Sequence, residues 1–160
     1  MLDYILLPAE RVRMLKKEKD FLEKLRSLCD VEFKDNEIKL QSHDAWSLLR
    51  IKEALKAFGR GFAAQDALEL LHEDNYLEII DLREFARTKQ RIQTLRGRVI
   101  GREGRIKQIV EKEAGVKIAV YGKTVSVLGE LEKVKTAAKV IKMILEGRKH
   151  GTALRLLSRG

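Results

Sequence analysis

The sequence predicts an α+β protein in which one unit, ordered strand, helix, helix, strand, strand, helix, occurs twice. Apolar residues alternate in stretches such as residues 116–120, a period typical of strands with one buried face. In other stretches, such as residues 106–110, they recur at helical spacing. The apolar pattern of the first half reappears about 85 residues later in the chain. We therefore expect each half to form a three-stranded sheet packed against helices.

The first copy should open with a strand at residues 3–7 that is closed by Pro8. Pro8 lacks an N–H group, which is tolerated where a helix begins. The polar stretch 34–37 has the residue types of a hairpin turn, and it separates two further predicted strands. An apolar-rich helix at residues 45–58 should follow, and then a short helix at residues 64–71. Residues 72–75 are the predicted boundary between the copies.

The second copy should repeat this order, with a strand at residues 76–81 and a hairpin turn at residues 121–123. The predicted last helix covers residues 133–146, and a helical tail covers residues 152–157. Five basic residues are expected on the first helix of this copy, either extending a phosphate track or forming a solvated face: Arg83, Arg87, Lys89, Arg91 and Arg96. The lysines of the last helix are expected on its outer face: Lys133, Lys135, Lys139 and Lys142.

The internal repeat aligns apolar positions of the two copies. At an offset of 85, Val99 meets Met14 and Ile106 meets Phe21. The same offset pairs further apolar positions: Ile100 with Leu15, Val110 with Leu25, Val116 with Val31, and Ile118 with Phe33. The offset grows to 87 and then 88 along the chain, with Val125 against Ile38 and Gly147 against Gly59. Two copies of one fold follow from this alignment.

The most informative stretch is Gly101-Arg102-Glu103-Gly104, which joins two predicted helices of the second copy. Glycine has no Cβ atom, so the chain can turn sharply there and approach a ligand closely. The second helix should begin just after Gly104, with its unpaired N–H groups and positive dipole end directed toward the loop. Such an arrangement favours a phosphate group. Gly115 should end this helix, before the strand of residues 116–120.

The residues Val99-Ile100-Gly101, Gly104, Lys107 and Gly115-Val116-Lys117-Ile118 resemble the signature of the KH family of nucleic-acid-binding modules. A chance GxxG at a helix end would leave the second glycine and the strand after it unexplained. The resemblance implies that the loop clamps the backbone of single-stranded RNA and that bases enter an aliphatic groove beside the second helix. It implies these RNA-binding residues: Arg98, Val99, Gly101, Arg102, Glu103, Gly104, Arg105, Ile106, Lys107, Ile109 and Ile118. Glu103 should point to solvent, or pair with Arg102 or Lys107.

The first copy has Lys16-Lys17-Glu18-Lys19 where the second has its two glycines. We expect the chain to continue helically there and the phosphate clamp to be absent. The resemblance then implies two tandem type I KH domains, a degenerate one at residues 1–73 and a GxxG-containing one at residues 76–160. Trp46, Phe58 and Phe62 are expected in the core of the first copy, with a protein partner as the alternative.

The charge distribution separates the two halves. Residues 1–80 carry 13 Lys and Arg against 16 Asp and Glu, whereas residues 81–160 carry 20 against 8. The second half therefore suits a polyanion partner. We expect no membrane segment, because no apolar run approaches the roughly 18 residues of a spanning helix and the N-terminus lacks a signal pattern.

We expect no enzyme, metal or cofactor. Cys29 is the only cysteine, which excludes an internal disulfide and favours a cytoplasmic location, and packing is its expected role. The three histidines are scattered, without the paired spacing of a metal site. The glycines match neither GxxxxGK[ST] nor a GxGxxG after a strand.

A degenerate copy followed by a GxxG copy resembles the archaeal two-KH-domain family related to the eukaryotic small-subunit assembly factor called partner of Nob-one. The resemblance covers nearly all 160 residues. It implies binding of small-subunit ribosomal RNA near its 3′ end during ribosome assembly. The alternative is an adaptor whose first copy binds a protein, such as a ribosome or translation factor, while the second has general RNA affinity.

Overall fold

The computed structural model describes residues 1–159. The chain divides into two compact units between Asn75 and Tyr76. Each unit is α+β and contains a three-stranded sheet with helices packed on it.

The first unit follows the predicted element order and ends with a short 3₁₀ segment, Glu69–Leu71. β3 lies between β1 and β2 and is antiparallel to both, so the sheet order is β1-β3-β2. The elements are β1 (Leu2–Leu6), α1 (Ala9–Leu15), α2 (Lys19–Arg26), β2 (Asp30–Lys34), β3 (Glu37–Gln41), α3 (Ala45–Gly59) and α4 (Ala64–Leu68).

The core of the first unit forms between the sheet and helices α1 to α3. Ile38 and Leu40 on the central strand are fully buried. The rings of Phe21 and Phe58 meet edge to face with centroids 5.6 Å apart, an arrangement that aromatic pairs favour. Cys29 is buried, and this burial raises the pKa of its thiol, which agrees with a packing role.

The prediction of a continuous helix through residues 16–19 is wrong. α1 ends at Leu15 and α2 begins at Lys19, with Glu18 in a non-helical conformation at φ −87° and ψ 78°. The N–H groups of Lys16 and Glu18 donate to the carbonyls of Val12 and Leu15. A tight turn with negative φ therefore breaks the helix without a glycine.

The repeat alignment is also wrong by one residue in the first helix. Met14 is 47% exposed, whereas Val99 is 2% exposed and Leu15 is fully buried. The connection between the paired helices has three residues in the first unit and four in the second, so Leu15 takes the position of Val99. After this connection the alignment agrees with burial, because Val31 and Val116 are both buried.

The second unit repeats the order, and its sheet has the order β4-β6-β5, which places β5 at an edge. β5 and β6 are antiparallel, with Ile118 opposite Val127. The elements are β4 (Asn75–Asp81), α5 (Lys89–Ile100), α6 (Arg105–Ala114), β5 (Lys117–Tyr121), β6 (Thr124–Glu130), α7 (Leu131–Leu145) and α8 (His150–Leu154), with 3₁₀ segments at Leu82–Glu84, Arg102–Gly104 and Arg155–Arg159.

The basic residues of this unit lie partly where the sequence placed them. Lys89, Arg91 and Arg96 are on α5, but Arg83 lies in the 3₁₀ segment and Arg87 in the loop before α5. Thr88 accepts a hydrogen bond from the Arg91 N–H, so the helix begins only after Thr88. The four lysines of α7 are exposed, as predicted. Within residues 1–159, no helix has both the length and the apolar character needed to cross a bilayer.

Candidate nucleic-acid interface

The connection between α5 and α6 has a backbone that glycine makes possible. Gly101 has φ 76° and ψ 173°, and Gly104 has φ 76° and ψ 12°. A Cβ atom on Gly101 would lie 2.8 Å from the backbone nitrogen of Ile106 and 2.4 Å from Ile106 Cγ1. A Cβ atom on Gly104 would meet only Gln108 Nε2, at 4.0 Å. Gly101 is therefore required by close packing as well as by its φ angle, and Gly104 by its φ angle alone.

Glu103 is the non-glycine residue of this loop with positive φ, at 57°. Its side chain is exposed, and Lys107 pairs with Glu111 instead of Glu103. The left-handed residues 103 and 104 let the chain reverse between the two helices. Arg102 and Arg105 are exposed on either side of Glu103.

The N-terminus of α6 is available to an anion. No side chain caps this ten-residue helix, and its first turn holds no acidic residue. By contrast, Asp44 caps α3 and Thr88 caps α5 by accepting backbone N–H bonds. The N–H groups of Gly104 and Arg105 donate to the carbonyls of Gly101 and Arg102, so the positive dipole end of α6 is what attracts negative charge here. The loop therefore presents a helix terminus and two arginines to one region of solvent.

Arg98 fixes the last turn of α5 to the end of α7. Its Nη1 and Nη2 atoms each donate a 2.8 Å hydrogen bond, to the carbonyls of Ile144 and Arg148. His150 Nε2 lies 2.9 Å from the Arg98 carbonyl, which only accepts, so this nitrogen donates. The guanidinium expected to contact RNA thus donates one hydrogen bond from each terminal nitrogen to a carbonyl of its own unit. Arg98 positions the helix that carries the loop.

The predicted groove residues lie on α6, on the last turn of α5 and on the edge strand β5. Ile106 and Ile109 on α6 are partly exposed, but Val99 and Ile118 are buried in the core. Val99 therefore cannot line a surface groove, and Ile118 contributes backbone alone. The Ile118 N–H donates a 3.0 Å hydrogen bond to Glu111 Oε2. The other oxygen of Glu111 lies 3.4 Å from Lys107 Nζ.

The corresponding turn of the first unit lacks these features. Lys16 lies with its Nζ 5.5 Å from the centre of the Phe33 ring, so its ammonium packs over an aromatic face. Asp20 occupies the first turn of α2, where a carboxylate satisfies the helix dipole. Both effects work against a phosphate at this turn.

Comparison with known families decides what the second unit is. The family model for the second KH domain of PNO1, described as a eukaryotic type KH-domain (KH-domain type I), matches residues 76–159. The chain belongs to the type I KH-domain family. The matched residues include the whole loop and both helices that flank it.

Two curated relatives match most of the chain. The KH domain-containing protein MJ0443 of Methanocaldococcus jannaschii is 35% identical over 116 residues, which are 72% of this chain and 51% of that protein. The pre-rRNA-processing protein pno1 of Aspergillus fumigatus is 24% identical over 137 residues, 81% of this chain and 54% of that protein. The chain spans about half the length of the curated relatives it matches.

A solved structure matches nearly the whole length of the chain. It is a chain in the crystal structure of an a/eIF2alpha–aDim2p–rRNA complex from Pyrococcus horikoshii. That chain is 29% identical with a TM-score of 0.87, and the match covers 99% of this chain and 93% of that one. This protein is therefore a PNO1-like KH-domain protein with a close structural relative in an archaeon.

The KH domain gathers most of the predicted site residues around one loop. Eight of them lie within residues 101–109, and all eight are at least partly exposed: Gly101, Arg102, Glu103, Gly104, Arg105, Ile106, Lys107 and Ile109. Sequence analysis missed Glu111, which meets both Lys107 and the backbone of β5. The spacing of four residues from Lys107 was its one sequence signal. Among residues 1–159, no cluster of His, Cys, Asp and Glu could hold a metal ion.

Proposed function

We propose that this protein binds single-stranded RNA through the Gly101–Gly104 loop of its KH domain, and that this RNA is small-subunit ribosomal RNA near its 3′ end, bound during ribosome assembly. The observation that carries the proposal is the loop itself, where Gly101 admits no Cβ atom and an uncapped helix begins beside two exposed arginines. Relatives named for pre-rRNA processing and an rRNA complex support the choice of RNA.

In this proposal the loop holds the sugar-phosphate backbone. Amide groups at the start of α6 donate to a phosphate, and Arg102 and Arg105 add charge-assisted bonds. Lys107 extends the cationic surface, although Glu111 partly neutralises it. These contacts position RNA without reading its sequence. Bases then enter beside Ile106 and Ile109, and Arg98 acts only by holding α5 in place.

We also propose that the first unit, residues 1–73, is a degenerate KH domain. It has the same element order and sheet order as the second unit. Its turn at residues 16–18 has no glycine and no residue with positive φ. In this proposal the first unit keeps the KH architecture and leaves the phosphate contacts to the second.

The test replaces Arg102 and Glu103 together by Asp. The change alters the net charge by −2 at exposed positions, and Asp tolerates the left-handed conformation at residue 103. We expect binding of a single-stranded RNA from the 3′ end of small-subunit rRNA to be abolished, with an unchanged melting temperature. Fluorescence anisotropy measures the affinity.

The matched control replaces Lys17 and Glu18 of the first unit by Asp, which changes the net charge by the same amount. If both double variants weaken binding equally, RNA affinity is a general charge effect and the proposal is wrong. If neither variant weakens it, the loop is not the RNA site. Salt dependence of binding should be steeper for the wild type than for the loop variant.

A second candidate function is an adaptor in which the first unit binds a translation factor. A solved relative occurs in a complex that includes a/eIF2alpha. In this chain, alternate residues of β1 place three apolar side chains, Leu2, Tyr4 and Leu6, on the solvent face, each at least 47% exposed. A row of exposed apolar residues on a sheet is a typical protein-binding surface.

The adaptor function predicts that replacing Tyr4 and Leu6 by Ser removes binding of the translation initiation factor while RNA affinity stays unchanged. Pull-down with purified a/eIF2alpha, compared with anisotropy on RNA, measures the two activities separately. Unchanged capture of the factor by this variant would exclude the β1 face as its binding surface.

A further inference from the structure

Two segments of the KH domain carry basic residues and no acidic residue. Residues 89–100, which form α5, contain four Lys and Arg and neither Asp nor Glu. Residues 147–159 contain another four Lys and Arg, again without Asp or Glu. The two segments are far apart in the sequence, so only the fold decides whether their charges act together.

Hydrogen bonds join the two segments at one point. The Nη2 atom of Arg98, in the last turn of α5, donates to the Arg148 carbonyl at 2.8 Å. In return, His150 Nε2 donates to the Arg98 carbonyl at 2.9 Å. The connection between α7 and α8, residues 146–149, is therefore fixed against the end of α5.

Buried apolar residues anchor the chain that follows this connection. Ala153 is fully buried and Leu157 is 9% exposed, and both belong to the core of the domain. The 3₁₀ segment Arg155–Arg159 contacts α6 and α7. Arg148 and Lys149 nevertheless have exposed side chains. The fold thus holds these two cations in solvent on an anchored backbone.

This connection lies close to the loop that binds RNA in the proposed function. Arg98 precedes Gly101 by three residues, a distance of about 4.5 Å along the helix axis. The His150 ring contacts the main chain of Arg98. Residues 148–150 therefore lie beside the end of α5 at which the loop begins.

We propose that the RNA strand held by the loop continues over the α7–α8 connection, where Arg148 and Lys149 bind its phosphates. The inference rests on the proposed function, because it requires RNA at the loop. A KH loop clamps four nucleotides, so this second contact lengthens the bound stretch. Arg and Lys form charge-assisted hydrogen bonds with phosphate oxygens, and such contacts carry no sequence preference.

The charge of this surface exceeds what the helices themselves need. Basic residues near a helix C-terminus stabilise the helix by interacting with its last carbonyls. At the end of α7, Arg98 already does so, because it donates to the carbonyls of Ile144 and Arg148. Glu146, the acidic residue nearest in the sequence, is exposed and offsets at most one of the two charges of residues 148 and 149. A net positive charge therefore remains for a polyanion.

The experiment replaces Arg148 and Lys149 together by Gln in the full chain. Fluorescence anisotropy measures binding of two RNAs from the 3′ end of small-subunit rRNA, with four and twelve nucleotides. The shorter RNA fills the loop alone, so its affinity should not change. The longer RNA should bind about 10- to 30-fold more weakly at about 0.1 M salt. The slope of its log K against log salt concentration should become shallower by about 1.4, or about 0.7 for each lost phosphate contact.

A second variant keeps both charges. Arg148→Lys combined with Lys149→Arg should bind both RNAs as the wild type does, because either side chain can donate to a phosphate. Melting temperatures of both variants should equal that of the wild type, since the two side chains are exposed. A similar loss of affinity in the charge-preserving variant would show that these residues only support the fold, and would overturn the inference.

The matched control replaces Lys133 and Lys135 by Gln, which removes the same charge from exposed positions near the start of α7. Lys133 lies beside Gly115, at the end of α6 opposite to the loop. This control should bind both RNAs with the affinity of the wild type. Equal weakening by the two Gln double variants, or an equal loss for both RNAs, would contradict the inference. An unchanged affinity for the longer RNA would do the same.

The two proposals fail in different ways. If the Arg102 and Glu103 double variant keeps its affinity for both RNAs, the proposed function is wrong. If that variant abolishes binding, but Arg148→Gln with Lys149→Gln leaves the longer RNA bound as tightly as before, only the second contact is wrong.

Discussion

The two glycines of the loop should differ in what they tolerate, and this difference tests the geometry of the site. Gly104 is in the left-handed region with open space around it, so Gly104→Ala should cost about 1 kcal/mol of unfolding free energy. Gly101 lies where essentially only glycine is found, and its Cβ atom would overlap Ile106. Strain and overlap together should make Gly101→Ala cost about 3 to 4 kcal/mol.

Urea unfolding followed by circular dichroism measures these differences, and hydrogen exchange of the α6 amides localises them to the second unit. Gly97→Ala is the control, because Gly97 is an exposed helical residue with nothing within 4 Å of its Cβ position. It should stabilise the protein by up to about 1 kcal/mol. If Gly104→Ala costs as much as Gly101→Ala, the close approach of Ile106 is not what requires glycine at residue 101.

Three further predictions follow from single contacts. Arg98→Ala should lower the free energy of unfolding by about 2 kcal/mol, because two hydrogen bonds to carbonyls are lost. Arg102→Ala should weaken RNA binding and leave the free energy of unfolding unchanged. An Arg98→Ala protein that is as stable as the wild type but binds RNA poorly would show that Arg98 contacts RNA and does not position α5. Arg11→Met should cost about 2 to 4 kcal/mol, because Arg11 donates two 2.8 Å bonds to buried carbonyls of the first unit, and fluorescence of the single tryptophan reports its unfolding. Hydrogen bonds from Arg83 lower the pKa of Asp81. The stability that this pair contributes is therefore present at neutral pH. It is lost below about pH 4, as the pH falls through the lowered pKa. Melting temperatures of the wild type and Arg83→Gln should therefore converge in acid, and a constant difference from pH 7 to pH 2 would contradict this.

Local features of the fold could be predicted because their signals are local. The αL glycine that ends α6 and the polar turn between β2 and β3 are set by residues within a few positions of each other. The break between α1 and α2 could not be predicted this way, because Lys16, Lys17 and Glu18 are all acceptable in a helix. Leu15, the last residue of α1, is fully buried, and tertiary packing routinely overrides helix propensity, which is a weak preference.

The predicted site residues also divide into those with a local sequence signal and those whose surroundings depend on distant parts of the chain. The loop backbone and its exposed arginines could be predicted, since glycine spacing and charge are visible in the sequence. The positions of Val99 and Arg98 could not. Burial of Val99 depends on the sheet across the core, and Arg98 meets carbonyls 46 and 50 residues away.

The sequence by itself determined that the loop can turn sharply and that positive charge surrounds it, because both properties belong to the residues themselves. Only the tertiary structure decided which charged groups still face solvent. Arg98 and Glu111 find partners on other elements, and a hydrogen-bonding group that is paired across the fold is no longer available to RNA in the same way.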